Sequence, residues 1–201
     1  FASDSIWVLP LGTGAALSAS NISATFINNV NPANPAIEAY LSAVVFSGVN
    51  QFTPANNAVS TNNPTGINLP STLTVASAVG DLVYDVLDSF ANTAITNVAN
   101  SGQTLVASNG GALTSAVPSS DFGRYSNSSK PGAASVVMAW TSNADANIQA
   151  AINIRQAPAA PDLTVTKTVV GAGPFYRGGQ LTYSIQVNNV GTAPTTGNWT
   201  I

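Results

Sequence analysis

Ala134–Arg155 reads ASVVMAWTSNADANIQAAINIR and is followed at once by Gln156-Ala157-Pro158-Ala159-Ala160-Pro161. In its second arm Ile148, Ala150, Ile152 and Ile154 alternate with Asn147, Gln149, Ala151, Asn153 and Arg155, the two-residue period of a half-buried β-strand. In its first arm Ala134, Val136, Met138 and Trp140 fall on one side, and Thr141–Ala146 supplies the Ser, Asn and Asp of a turn. The two arms predict a closing antiparallel hairpin. Two prolines in the next six residues break any strand or helix, so the chain divides here. Residues 1–156 form one domain, 157–161 a linker, and 162–201 the beginning of a second.

Composition narrows the function classes. The chain has 201 residues, enough to bury a sizeable core. Charged residues make up 6% of it, against roughly 25% in an ordinary soluble domain, so the polar surface must come from Asn, Thr, Ser and Gln. Hydrophobic residues reach 45%, which separates this sequence from the polar, charge-rich composition of disordered chains. The five cations, Arg124, Lys130, Arg155, Lys167 and Arg177, are scattered in a chain of net charge −3. No basic patch for phosphates results, and nucleic acid is not an expected partner. There is no cysteine and no histidine. Ser-His-Asp and Cys-His catalysis, disulfides and the usual zinc sites are thereby excluded. No apolar run approaches the roughly 20 residues of a membrane helix, so no membrane span is expected in this segment.

Along the chain, Ile6-Trp7-Val8-Leu9 reads as a strand stopped by Pro10, and Ala16–Asn28 as a looser one, before the loop Asn28–Pro35. Ile37–Val49 is apolar on both faces and predicts a central strand. A short strand is expected at Ala58–Ser60, another at Leu73–Ala76, and a turn at Gly80 leading into Asp81–Phe90, where Leu82, Asp85 and Val86 also fall at helical spacings but the Val and Tyr enrichment and the flanking turns favour a strand. Asn92–Ser120 carries the turn signal Asn109-Gly110 and one or two short strands such as Gln103–Ala107. Asp121–Ser126 is a further candidate, with Ser126–Gly132 turning into the hairpin. Beyond the seam, Leu163–Val169 and Leu181–Val187 alternate cleanly and predict two strands joined by the turn Gly171–Gly179. Asn198–Ile201 begins a third. Three strands do not enclose an independent core, so the second domain is expected to be incomplete.

Asp162–Lys167, Gly179-Gln180-Leu181-Thr182-Tyr183, Val187-Asn188-Asn189 and Gly191-Thr192-Ala193 together resemble the opening of a conserved immunoglobulin-like repeat domain of bacterial and archaeal cell-surface proteins. Upstream, Val44–Pro54, Gly80–Val86 and Ala134–Pro158 look like the jelly-roll-like sandwich module that often precedes such repeats. The resemblance implies an all-β chain: an antiparallel, jelly-roll-like β-sandwich followed by an incomplete immunoglobulin-like β-sandwich. It further implies that opening strands precede Phe1, or that a neighbour supplies them. Asn147 and Gln149 depart from the pattern, standing where an aromatic or small residue is expected.

Asp81, Asp85 and Asp88 form an acidic cluster, but calcium needs six or more oxygen ligands. On a strand Asp88 points away from the other two, and no Asp-rich calcium loop is present. They read as turn-flanking, solvent-facing aspartates, and neither metal ion nor cofactor is expected. The acids Asp4, Glu38, Asp81, Asp85, Asp88, Asp121, Asp145 and Asp162 are scattered, with no marked glycosidase pair. Trp7, Trp140 and Trp199 with Tyr40, Tyr84 and Tyr125 offer flat faces for sugar stacking, Trp7 and Tyr125 foremost, while Trp140 reads as core. Lys167 has no marked partner for an internal isopeptide bond. Asn21, Asn127 and Asn198 begin glycosylation-type triplets that an Asn-rich chain produces by chance.

These readings converge on a non-enzymatic, extracellular, cell-surface structural protein. Its expected partners are copies of itself or other surface proteins. Ile6, Trp7, Val8 and Leu9 are the expected inter-subunit strand in a filament or surface layer assembled by strand complementation. The alternative is a stalked adhesin or carbohydrate-binding module that holds glycan through Trp7 and Tyr125.

Overall fold

The computed structural model describes residues 5–10, 40–66, 68–100, 102–112, 122–171 and 173–196. The described residues are all-β, with every strand pairing antiparallel. They divide at Ala157/Pro158 into two units.

Among the described residues the first unit has eight strands: β1 (Ala55–Asn63), β2 (Ser71–Ala76), β3 (Leu82–Ala91), β4 (Asn97–Ala99), β5 (Thr104–Ala112), β6 (Phe122–Pro131), β7 (Ser135–Ser142) and β8 (Ala146–Ile154). A five-stranded sheet, β1-β8-β3-β6-β5, faces a three-stranded sheet, β2-β7-β4. Between them lie Leu73, Val75, Val83, Val136, Met138 and Ala151, each the inward member of an alternating pair. The outer face of the larger sheet carries a second apolar cluster, built on Tyr84, Val86 and Ile154. Ile6, Val44, Phe46 and Val49 pack onto it from the N-terminal part of the chain.

The expected hairpin is not formed. β7 pairs with β2 and β4, whereas β8 pairs with β1 and β3, so the two arms belong to opposite sheets. Residues 143–145 carry the chain across the sandwich. A hairpin turn would satisfy its polar groups locally, but here they also reach distant parts of the chain. Asn143 Oδ1 accepts from Thr96 N at 2.7 Å, Asp145 N donates to Phe90 O at 2.9 Å, and Ala144 O accepts from Leu69 N at 3.2 Å. Ala144 itself is fully buried, a role open only to a small side chain.

The central strand is β3, not the apolar run ending at Val49. β3 is bonded along its length to β6 and β8. The β-pairing of the described part of the apolar run, residues 40–49, is limited to the isolated bridge Val49 to Gln156. Phe46 meets Tyr84 edge-on at 5.6 Å and Tyr40 stacks on Tyr125 at 6.3 Å, so side chains hold it in place of a ladder. Ser5–Pro10 likewise belongs to no strand. The expected elements at residues 1–4 and 11–39 lie outside the described residues, as does the strand at Asn198–Ile201.

Two further turn signals fall inside strands. Asn109 and Gly110 lie within β5, where a Cβ on Gly110 would collide with the backbone of Gly123 and Arg124. Ser126–Pro131 continues β6, and Ser126, Asn127 and Ser128 are fully buried. These polar residues face interior partners and not a turn. The Ala58–Ser60 strand extends to the whole of β1, with a bulge between Asn56 and Val59.

In the second unit, β9 (Leu163–Val170) and β10 (Thr182–Asn189) pair over their full length. Asn189 closes the base of this sheet. Its Oδ1 accepts from Asp162 N and Gly191 N, both at 3.0 Å, and its Nδ2 donates to Ala193 O at 2.7 Å. Leu163, Val165, Val169, Tyr183 and Ile185 share one face and are exposed. Lys167 sits on that same face, its ammonium 4.1 Å from the centre of the Tyr183 ring.

Candidate functional site

The chemistry-bearing side chains of the first unit meet inside the sandwich. β3 presents its odd-numbered residues inward, so Asp85 and Ser89 join Val83 and Leu87 between the sheets. The register brings Ser128 of β6 directly opposite Asp85, and Ser126 opposite Leu87. From β8 it is the amide row, Asn147, Gln149 and Asn153, that turns inward and is buried, while Ile148 and Ile152 are half-buried on the outer face.

Asp85 is the hub. Its Oδ1 accepts from Ser128 N at 3.1 Å and from Ser128 Oγ at 2.5 Å. Its Oδ2 accepts from Trp140 Nε1 and Gln149 Nε2, both at 2.7 Å. Four strands, β3, β6, β7 and β8, are thereby tied to one carboxyl group. Ser128 Oγ also accepts from Gln103 Nε2 at 2.8 Å, and Gln103 Oε1 accepts from Ala139 N at 2.7 Å. With the 3.3 Å bond from Gln149 Nε2 to Met138 O, the network passes from one sheet to the other three times. Burial pushes the Asp85 carboxyl above the ordinary carboxylate range, and the bonds from Ser128, Trp140 and Gln149 offset this only in part.

Two smaller networks flank the hub. Asn97 Oδ1 accepts from Ser142 Oγ at 2.7 Å and from Ser89 Oγ at 3.2 Å, and its Nδ2 donates to Ser126 Oγ at 3.1 Å. At the other end Asn153 Nδ2 donates to Asn56 Oδ1 at 2.8 Å and Asp81 Oδ2 at 2.9 Å, while Ser77 Oγ donates to Asn153 Oδ1 at 2.6 Å. Each such bond contributes on the order of 1 kcal/mol, but orphaning either partner in the interior costs about 1–3 kcal/mol. The layer therefore fixes which residues face each other more than it adds stability.

The expectation of solvent-facing aspartates is overturned at Asp85, which is fully buried. Sequence reasoning missed the site because a single Asp in a strand reads as polar and outward. The signal available was the departure at Asn147 and Gln149, two amides where a small or aromatic residue is expected. Asp81 accepts from Gln156 N and Asn153, and Asp88 lies on the opposite face of β3. Among the described residues no group of three carboxylates is placed to hold a metal ion. Trp140 is in the core, as expected, with no exposed surface.

The proposed ligand-facing aromatics do not share one setting. Trp7 is 92% exposed, whereas Tyr125 is half-buried against Tyr40 and its hydroxyl accepts from Asn127 Nδ2 at 2.6 Å. In the strand candidate Ile6–Leu9, Ile6 packs onto the outer cluster, Leu9 is 78% exposed, and Val8 is exposed to a lesser degree. Tyr84, held in the outer cluster, has its hydroxyl pushed far above the ordinary phenol value, first by burial and then by its bond to Tyr125. Asn127 is fully buried, so this glycosylation-type triplet is closed to modification in the folded chain. Asn21, Asn198 and Trp199 lie outside the described residues.

Two facing antiparallel sheets with a polar interior define an all-β sandwich. No known family, curated protein or solved structure matches the chain.

Proposed function

We propose that the chain is a non-enzymatic, extracellular structural protein, a subunit of a cell-surface filament or layer assembled by β-strand pairing between copies. The observation that carries this reading is the segment Ser5–Pro10. It joins no strand, anchors itself through Ile6, and leaves Trp7 and Leu9 in solvent. An apolar segment without a ladder partner is the donor that strand addition requires. The likeness to surface-protein modules and a surface of neutral amides and hydroxyls point the same way, because such surfaces associate with little dependence on salt.

Electron microscopy of the purified native protein tests the reading, together with a variant lacking residues 1–9. Filaments from the intact chain that are lost in the shortened one are the expected result. A monomer at all concentrations overturns the proposal. The exposure of Trp7 favours one second reading, a glycan-holding module on a stalk. Glycan-array binding abolished by Trp7→Ala, without any filament, would replace the first reading with this one.

A further inference from the structure

Asp85 has no exposed surface and accepts four hydrogen bonds, all from neutral donors. A buried carboxylate without a cation is costly unless its lone pairs are filled, and here they are. The question is what this cluster does when a proton arrives. A neutral carboxyl group must itself donate, so one of its partners has to become an acceptor. Ser128 N and Trp140 Nε1 can only donate. Ser128 Oγ keeps a second lone pair beside the bond from Gln103, but it could offer it to Asp85 only by withdrawing its own hydrogen from the carboxyl group. Gln149 differs from the other three: its side chain is fully buried, its Nε2 donates to Asp85, and its Oε1 has no partner among the described residues.

We propose that Asp85 and Gln149 form a proton-linked tie in the sandwich interior. With Asp85 ionised, Gln149 donates to it through Nε2. When Asp85 takes up a proton, the Gln149 carboxamide turns over so that Oε1 accepts it. The turn exchanges the long 3.3 Å bond from Nε2 to Met138 O for an approach of two oxygens and leaves the Trp140 and Ser128 bonds in place.

The charged groups around the site do not compete for this role. On the inward face of the larger sheet, Asp81 precedes β3, and Arg124 and Lys130 lie on β6. β2, β4, β5, β7 and β8 contain no charged residue. Asp81 is bonded to Asn153 and Gln156, Arg124 to Ser108 Oγ, and Lys130 to Val137 O. Asp88 and Tyr84 occupy the other face of β3.

Burial holds the folded-state pKa of Asp85 above its unfolded value. Such a group contributes stability that is present in full below the unfolded pKa and is lost as pH rises through the folded pKa. Acid therefore tightens this layer, the reverse of the usual behaviour of a bonded carboxylate.

Carbon-13 NMR of the Asp85 carboxyl in the unaltered protein tests the tie without any substitution. The expected midpoint lies above the ordinary aspartate value of about 3.9. A midpoint at or below it overturns the proposal. Nuclear Overhauser contacts between the Gln149 amide protons and the Trp140 indole proton should weaken in the same transition, and contacts that stay constant across it overturn the turning carboxamide. In denaturant titrations the stability of the wild type relative to Asp85→Asn should grow from pH 7 to pH 4. A gap that is flat or shrinks counts against the tie. Should Asp85→Asn fail to fold, the carboxyl titration decides alone.

Discussion

β8 and the β9–β10 sheet carry the same kind of pattern, apolar residues alternating with neutral polar ones, and treat it in opposite ways. In β8 the polar row is the more deeply buried, with Asn147 and Gln149 at 0% exposure while Ile148 and Ile152 are only half covered. In β9–β10 even the apolar row is in solvent, with Val165 at 59% and Ile185 at 46% exposure. Period 2 states that a strand has two unlike faces. Which of them meets protein is set by what lies above and below the sheet. β8 has a layer on each side, the β2-β7-β4 sheet on one and Val44, Phe46 and Ile6 on the other. No such layer covers the β9–β10 face among the described residues.

Substitutions can break this contrast. The largest effect is expected at Trp140, which fills the interior and donates to Asp85. Trp140→Ala should destabilise the first unit by about 3–5 kcal/mol. Trp140→Phe, which keeps most of the volume but removes the N–H, should cost about 1.5–3 kcal/mol. Denaturant unfolding followed by far-UV circular dichroism measures both. If the Phe variant were neutral, the Asp85 hub would hold no weight in the fold.

Next comes Asn147→Val on the inward row of β8. It strands Leu69 O and Asn63 Nδ2, bonded to Asn147 at 2.8 Å each, and should lower the unfolding free energy by about 1–3 kcal/mol. A more stable variant would show that the amide row is an accident of composition. The smallest effect is expected from Val165→Thr and Ile185→Thr on the exposed face. Each should leave the unfolding free energy of the isolated chain within about 0.5 kcal/mol. Dilution is the sharpening measurement. Should either variant destabilise only above the concentration at which copies associate, that face is covered in the assembly.

Much of the fold was legible. The seam, β2, β3, β9 and β10 follow from alternation and turn residues at Gly80, Gly171 and Gly179, because these are local properties of the chain. The misreadings share one cause. β7 and β8 are each correctly a strand, but adjacency in sequence suggested that they pair, and the three residues between them instead cross between sheets. Ser126-Asn127-Ser128 and Asn109-Gly110 were read by composition as turns, yet the first carries buried bonds and the second sits where two backbones approach closely. The candidate site was the least legible part, since Asp85, Ser128, Trp140 and Gln149 come from four strands spread over more than 60 positions.

By itself the sequence determined the strand-rich character, the division at Pro158, the want of charge, and the lack of cysteine and histidine chemistry. Those are properties of composition and of short-range steric preference, which act before any long-range contact forms. The tertiary structure alone decided that amides face inward on β8, that β3 is central, and that one aspartate is buried at the meeting point of four strands. A polar group is stable in the interior only when particular partners are brought to hydrogen-bonding distance, and those partners lie far apart in the chain.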